Sequence, residues 1–132
     1  MDLDAVADQI LTLLEGVPGL DVFDGEPQAR MDSDGRAHPY AAVYVTPGTP
    51  VDRALAAYSG HVVGWQVTAA GGDAERCRRA VDRVRAGLVD QWITVGGVDR
   101  QILELEGYDP GPMRVDQAVT PPRSWVPLFF EA

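Results

Sequence analysis

Two stretches of the chain carry apolar residues at helical spacing, whereas every other apolar stretch is short and bounded by glycine or proline. Leu3 to Val17 has one apolar arc with acidic residues opposite, and Gly16 and Pro18 end it. Asp73 is a good N-cap for a second helix that runs to about Gln91. The apolar stripe of that helix is formed by Cys77, Ala80, Val81, Val84 and Leu88. The spacing therefore predicts two amphipathic helices that pack on one core.

The remaining apolar stretches have strand character. They cover Asp21–Asp24, Pro39–Val45, His61–Thr68, Ile93–Val95, Arg100–Glu106, Met113–Val119 and Trp125–Phe130. Alternation predicts that Leu103 and Leu105 face the core, and Pro127 is expected to mark an edge or a bulge. Glycine-rich connections favour antiparallel pairing of neighbouring strands.

The order of these segments predicts an α+β fold, in which a single mostly antiparallel sheet packs with two amphipathic helices. Gly25–His38 and Thr46–Gly60 are expected to form long exposed loops, because turn-forming residues dominate them. The length of 132 residues fits one domain that spans the whole chain.

Charge narrows the classes of function. The chain has 20 acidic and 11 basic residues, a net charge of -9, and no lysine. The missing lysine excludes P-loop and Schiff-base chemistry, and the acidic balance disfavours nucleic-acid binding. Met1 is followed by Asp2 and Asp4 without an apolar run, so we expect neither a signal peptide nor a membrane span.

No residue pattern indicates catalysis, a cofactor or a metal. Asp32-Ser33-Asp34-Gly35 has the opening spacing of a calcium loop, but Val43 stands where the bidentate glutamate is needed. Ser59 and His61 lie two residues apart without a nucleophile elbow. Cys77 falls in the apolar stripe, which indicates a buried thiol and not a nucleophile. We therefore predict that the chain is not an enzyme.

Five arginines lie on the second helix. Arg76, Arg79 and Arg83 share one flank, and Arg78 and Arg85 share the other. They form either a solvated face balanced by nearby carboxylates or a basic strip that meets an acidic neighbouring subunit.

The order of segments resembles that of tail terminator proteins of long-tailed phages, particularly those of actinobacterial hosts. The resemblance covers most of the chain. It is carried by Gly16-Val17-Pro18-Gly19, Asp21-Val22-Phe23-Asp24-Gly25-Glu26-Pro27, Pro39-Tyr40-Ala41-Ala42-Val43-Tyr44, Trp65-Gln66-Val67-Thr68, the helix Ala74 to Leu88, and Pro127-Leu128-Phe129-Phe130.

The resemblance implies a virion protein of the tail neck, assembled in the host cytoplasm. Six subunits would form a ring on the tail tube, stop its polymerisation and present a surface for the head-tail connector, while DNA passes through the lumen without specific binding. The helix arginines Arg76, Arg78, Arg79, Arg83 and Arg85 would contact the adjacent subunit. Residues of the two loops would contact neighbouring rings, namely Asp32, Asp34, Arg36, Asp52 and Arg53.

Two alternatives remain open. One is a head-tail connector or head-closure protein of the phage neck. The other is a small acidic inhibitor, either a DNA mimic or an immunity protein, which the net charge of -9 suggests.

Overall fold

The computed structural model describes residues 2–45, 62–105 and 109–132. Helix α1 spans Leu3–Glu15 and helix α2 spans Ala74–Leu88. The strands are β1 (Asp21–Asp24), β2 (Tyr40–Tyr44), β3 (Gly64–Gly71), β4 (Trp92–Val95), β5 (Val98–Gln101), β6 (Leu103–Glu104), β7 (Arg114–Asp116) and β8 (Arg123–Glu131). The predicted loop Thr46–Gly60 lies outside the described residues.

One sheet organises the described part of the chain, in the order β1-β2-β3-β8-β6, with β7 also paired to β8. β1 runs parallel to β2, and every other pairing in the sheet is antiparallel. β4 and β5 form a separate hairpin. The predicted α+β class, with two helices and a mostly antiparallel sheet, is confirmed.

Both helices begin at aspartate N-caps. The Asp2 carboxylate accepts from the Ala5 N–H, and the Asp73 carboxylate accepts from the Arg76 N–H, which satisfies backbone donors that the first turn leaves unpaired. Both apolar stripes are buried as predicted, including Ile10 of α1 and Val84 of α2. The helices therefore start and pack for local reasons that the sequence carries.

The main core lies between the helices and one face of the sheet. That sheet face contributes Trp65, Val67, Leu128 and Phe130 among other residues, all buried against the helices. The opposite face carries the alternate residues of the same strands. On that face Tyr40 and Ala70 form a second, smaller cluster with Ala37, against which Phe23, Ala29 and Trp125 pack.

The segment Arg100–Glu106 is where the predicted alternation is wrong. Leu103 is 37% exposed, whereas Ile102 is fully buried. The Ile102 N–H donates to the Gln91 carbonyl at 2.7 Å, and the Asp90 N–H donates to the Ile102 carbonyl at 3.0 Å. The chain leaves its pairing with β4 at this point and pairs with β8. The change of partner strand shifts which residues face inward.

Pro127 lies inside β8, opposite Thr68 of β3. On its other side β8 pairs with β7 through residues 123–125 and with β6 through residues 130–131. The Leu105 N–H donates to the Phe129 carbonyl, so Phe129, and with it Pro127, directs its backbone polar groups away from β3. The proline thus removes no hydrogen bond from the β3–β8 ladder. The prediction that it marks an edge is wrong for the strand as a whole, because β8 lies between β3 and the strands β6 and β7, and Pro127 falls in the gap between β6 and β7.

Candidate functional site

Arg76 is the centre of an ionic cluster at the first turn of α2. Its Nε donates to Asp32 Oδ2 at 2.8 Å, its Nη2 to Asp34 Oδ2 at 2.8 Å and its Nη1 to Asp73 Oδ2 at 2.6 Å. The Arg76 side chain is only 16% exposed. One guanidinium therefore joins the 25–38 loop to the N-cap of α2, and we call Asp32, Asp34, His38, Asp73 and Arg76 the Arg76 cluster.

His38 completes the cluster from the base of the loop. Its Nδ1 lies 2.9 Å from Asp32 Oδ1, and because an ionised carboxylate only accepts, Nδ1 carries the proton. Both oxygens of Asp32 are thus engaged, one by Arg76 and one by His38. His38 Nε2 is buried without a hydrogen-bond partner.

The pKa shifts of three members of the cluster favour their charged forms. Hydrogen bonds from Arg76, and then from His38, lower the pKa of Asp32 below its usual 3.8. The backbone N–H of Arg76 is the largest cause of the lowered pKa of Asp73. The hydrogen bond to Asp32 is in turn the largest cause of the raised pKa of Arg76. The shifts of Asp32, Asp73 and Arg76 all favour the charged form, so these three groups act as an ionic cross-link.

The prediction that Gly25–His38 is a long exposed loop is not confirmed. Met31 and Ala37 form an antiparallel bridge, and Gly35 closes a turn by donating its N–H to the Asp32 carbonyl at 2.9 Å. Ala37 is fully buried, and its carbonyl accepts from the Gly72 N–H at 2.9 Å. The tip of the loop stays exposed while its base is packed beside α2.

The predicted ring-to-ring residues differ in their surroundings. Asp32 and Asp34 are engaged by Arg76. Arg36 lies 3.8 Å from Asp73 and donates to the Gly72 carbonyl at 3.4 Å. Asp52 and Arg53 lie outside the described residues. The acidic tetrapeptide that resembles the start of a calcium loop is thus explained by its contacts with arginine.

The arginines of α2 mostly bind within the chain. Arg79 pairs with Glu75 on the same helix. Arg83 Nη1 donates to the Gly19 carbonyl at 2.7 Å, and Arg85 forks onto both carboxylate oxygens of Glu104 at 2.8 and 3.0 Å. With Arg76 also engaged, Arg78 is the one arginine of the five with neither an ion pair nor a hydrogen bond from its side chain among the described residues, because Arg83 binds a backbone carbonyl and not a carboxylate.

Sequence reasoning missed a basic and aromatic cluster on the sheet face opposite the helices. The guanidinium carbon of Arg114 lies 5.0 Å from the ring centroid of Trp125, and that of Arg123 lies 5.5 Å from it. We call these three residues the Trp125 cluster. Arg123 and Trp125 lie two residues apart on β8, so their side chains share a face. Only the register of β7 with β8, which places Arg114 opposite Trp125, adds Arg114 to them. The sequence carries no local signal for it.

An exposed tryptophan borders a shallow groove on the helix side of the molecule. Trp92 is 61% exposed. The groove has a volume of about 320 Å³ and is lined by Asp8, Gln9, Thr12, Leu13 and Trp92. It joins the surface of α1 to the β4–β5 hairpin.

The residues considered for catalysis fall into two groups. Cys77 is fully buried, as predicted, and burial raises the pKa of its thiol to about 11, so the reactive thiolate is disfavoured. Ser59 and His61 lie outside the described residues.

Two further features are absent from residues 2–45, 62–105 and 109–132. No group of three or more metal-ligating side chains could hold an ion there. No helix in these ranges has the length and apolar character of a membrane span.

Comparison with known proteins assigns no family. No protein-family model matches the chain, and no curated protein matches it either.

Proposed function

We propose that this chain is a tail terminator subunit, a structural virion protein that forms a ring of six on the tail tube, stops its polymerisation and offers a surface to the head-tail connector. The observation that carries the proposal is the exposed Trp92 beside the α1 groove. Tryptophan is enriched at protein contacts, since it offers a large apolar surface with little loss of side-chain entropy. The identity of the partners rests on the resemblance of the segment order.

The 25–38 loop fits a role in contacts between rings. The Arg76 cluster fastens its base to α2, while Met31 at its tip is 60% exposed. A loop fixed in this way loses little conformational entropy when it binds. Because Asp32 and Asp34 already bind Arg76, the contact with a neighbouring ring falls to the other residues of the tip.

The net charge of -9 suits the same proposal. A negative lumen repels the DNA phosphates that pass through it, so the DNA moves without being held.

The test is the polymerisation of a major tail tube protein, the partner that the proposal names. With the wild-type chain added, electron microscopy should show tubes of limited length capped by a ring. Trp92→Ala should yield longer tubes, because the exposed indole is lost from the protein contact that we propose at the α1 groove. Val98→Ala, on the same hairpin and 53% exposed, is the matched control and should leave tube length unchanged.

Deletion of the gene in its phage separates the two neck roles. Overlong tails support the terminator. DNA-filled heads without a stable neck would instead establish the connector or head-closure role. In the polymerisation experiment, tubes whose length does not change when the wild-type chain is added would contradict the terminator proposal.

A further inference from the structure

The Trp125 cluster is a concentration of positive charge that no carboxylate of the described residues neutralises. Neither Arg114 nor Arg123 forms an ion pair with a carboxylate among the described residues, although the chain has 20 acidic and 11 basic residues. Asp116, which is opposite Arg123 in the register, instead accepts from the Ala118 N–H at 3.0 Å. Two cations at one indole attract an anion more strongly than either would alone.

The cluster is also held in place. Arg123 Nη1 donates to the Tyr40 hydroxyl oxygen at 3.2 Å, and Arg123 Nε is buried without a hydrogen-bond partner. Trp125 packs against the small core of the outer sheet face. Arg114 is exposed and keeps its guanidinium available for a carboxylate, while Arg123, which is held by Tyr40, adds positive charge beside it.

The matching negative surface is on α1. Asp4, Asp8 and Glu15 are exposed on that helix, which contains no basic residue, and none of the three forms an ion pair among the described residues. Their spacing places them on one side of the helix. Asp8 also lines the groove beside Trp92, so the acidic row borders an exposed apolar side chain.

These two surfaces lie on opposite sides of the sheet. Helix α1 packs on the face that carries Val126 and Leu128, whereas Trp125 is on the other face of the same strand. Because the surfaces differ and point apart, two copies joined through them make a heterologous contact. Such contacts repeat around a ring when the rotation closes.

We infer that the Trp125 cluster is the basic half of the contact between subunits, and that it binds the acidic row Asp4, Asp8 and Glu15 of α1 in a second copy of this chain. The inference rests on the proposed ring. It assigns the contact between subunits to the Trp125 cluster and no longer to the arginines of α2. The carboxylates form charge-assisted hydrogen bonds with Arg114 and Arg123. Trp92 and Leu13 supply apolar area next to them.

The experiment is sedimentation velocity over a range of protein concentration, with the tail tube protein absent and present. Arg114→Glu with Arg123→Glu, and separately Asp4→Arg with Asp8→Arg, should each weaken self-association at least about tenfold, because like charges then face each other. A single chain with all four substitutions keeps the net charge of -9 and should associate as the wild type does. Circular dichroism establishes that each variant is folded.

A second comparison separates specific pairing from overall charge. Arg114→Gln with Arg123→Gln changes the net charge by the same amount as Arg78→Gln with Ala86→Glu, at two exposed positions of α2. Only the first pair should weaken association. Two results would overturn this contact but leave the ring. The first is self-association that is unchanged in both charge-reversed double variants. The second is a loss of self-association in the folded double variants that the chain with all four substitutions does not restore. A wild-type chain that remains monomeric even with the tube protein would overturn the contact and the ring together.

Discussion

The side chain of Gln9 forms with Thr94 the two hydrogen bonds that a neighbouring strand would form. Gln9 Oε1 accepts from the Thr94 N–H at 2.7 Å, and Gln9 Nε2 donates to the Thr94 carbonyl at 2.8 Å. A side chain of α1 thus occupies the edge of β4, which is open on the side away from β5. This pairing fixes the β4–β5 hairpin to the first helix across 85 residues of sequence.

Gln9→Ala removes both hydrogen bonds and should lower the free energy of unfolding by about 1–2 kcal/mol. The loss is modest because both hydrogen bonds are exposed, so water can bind the freed Thr94 groups. The Thr94 amide should also exchange its hydrogen faster. Chemical denaturation and hydrogen exchange measure the two effects. Gln117→Ala, an exposed glutamine, serves as the control; equal losses in both variants would show that the pairing contributes nothing.

The lowered pKa of Asp32 predicts a defined dependence of stability on pH. A carboxyl whose pKa is lower in the folded state stabilises the fold above its unfolded value, near 3.8, and this contribution is lost as the pH falls through the folded value. Asp32→Asn should therefore destabilise the protein at neutral pH, and this effect should start to decline near pH 3.8 and disappear as the pH falls through the lower pKa of the folded state. Urea unfolding at a series of pH values measures the difference.

Arg76→Gln provides the control for that experiment. Arg76 is the largest cause of the lowered pKa of Asp32, so Asp32→Asn should have a much smaller effect when Arg76 is already replaced. An effect of Asp32→Asn that is the same at every pH and in both backgrounds would contradict the ionic role of the cluster.

Gly72→Ala should detach the base of the 25–38 loop. A Cβ at this position would lie 2.3 Å from the backbone nitrogen of Ala37, and backbone atoms cannot yield as a flexible side chain can. We expect a loss of about 2 kcal/mol or more, measured by thermal and chemical unfolding. At Gly64 the nearest atom to such a Cβ is 3.5 Å away, so Gly64→Ala should be close to neutral; similar losses at both sites would rule out the close approach as the cause.

Ile102 and Leu103 provide a test of the strand register. Ile102 is fully buried and Leu103 is 37% exposed. Ile102→Ala should cost about 2–5 kcal/mol because it leaves a cavity in the core, whereas Leu103→Ala should cost less than about 1 kcal/mol. Unfolding in urea compares the two variants, and the opposite ranking would support the alternation predicted from the sequence.

Much of the fold could be predicted because its signals are local. The apolar spacing and the Asp73 N-cap located α2, and the strand character of His61–Thr68 located β3, which spans Gly64–Gly71. The helical period also predicts which arginines of α2 share a flank of the helix. It does not predict which groups those arginines bind.

The sequence by itself determined where the two helices and most of the strands lie, that the apolar stripes of the helices face the core, and how charge is divided along α2. Those properties depend on residues within a few positions of one another. Only the tertiary structure decided that Arg76 binds Asp32, 44 residues away, that Ile102 and not Leu103 turns inward, and that Arg114 meets Trp125. Each of these contacts joins segments that are far apart in sequence. Many strand registers satisfy the same local pattern, and the packing of the whole chain selects one of them.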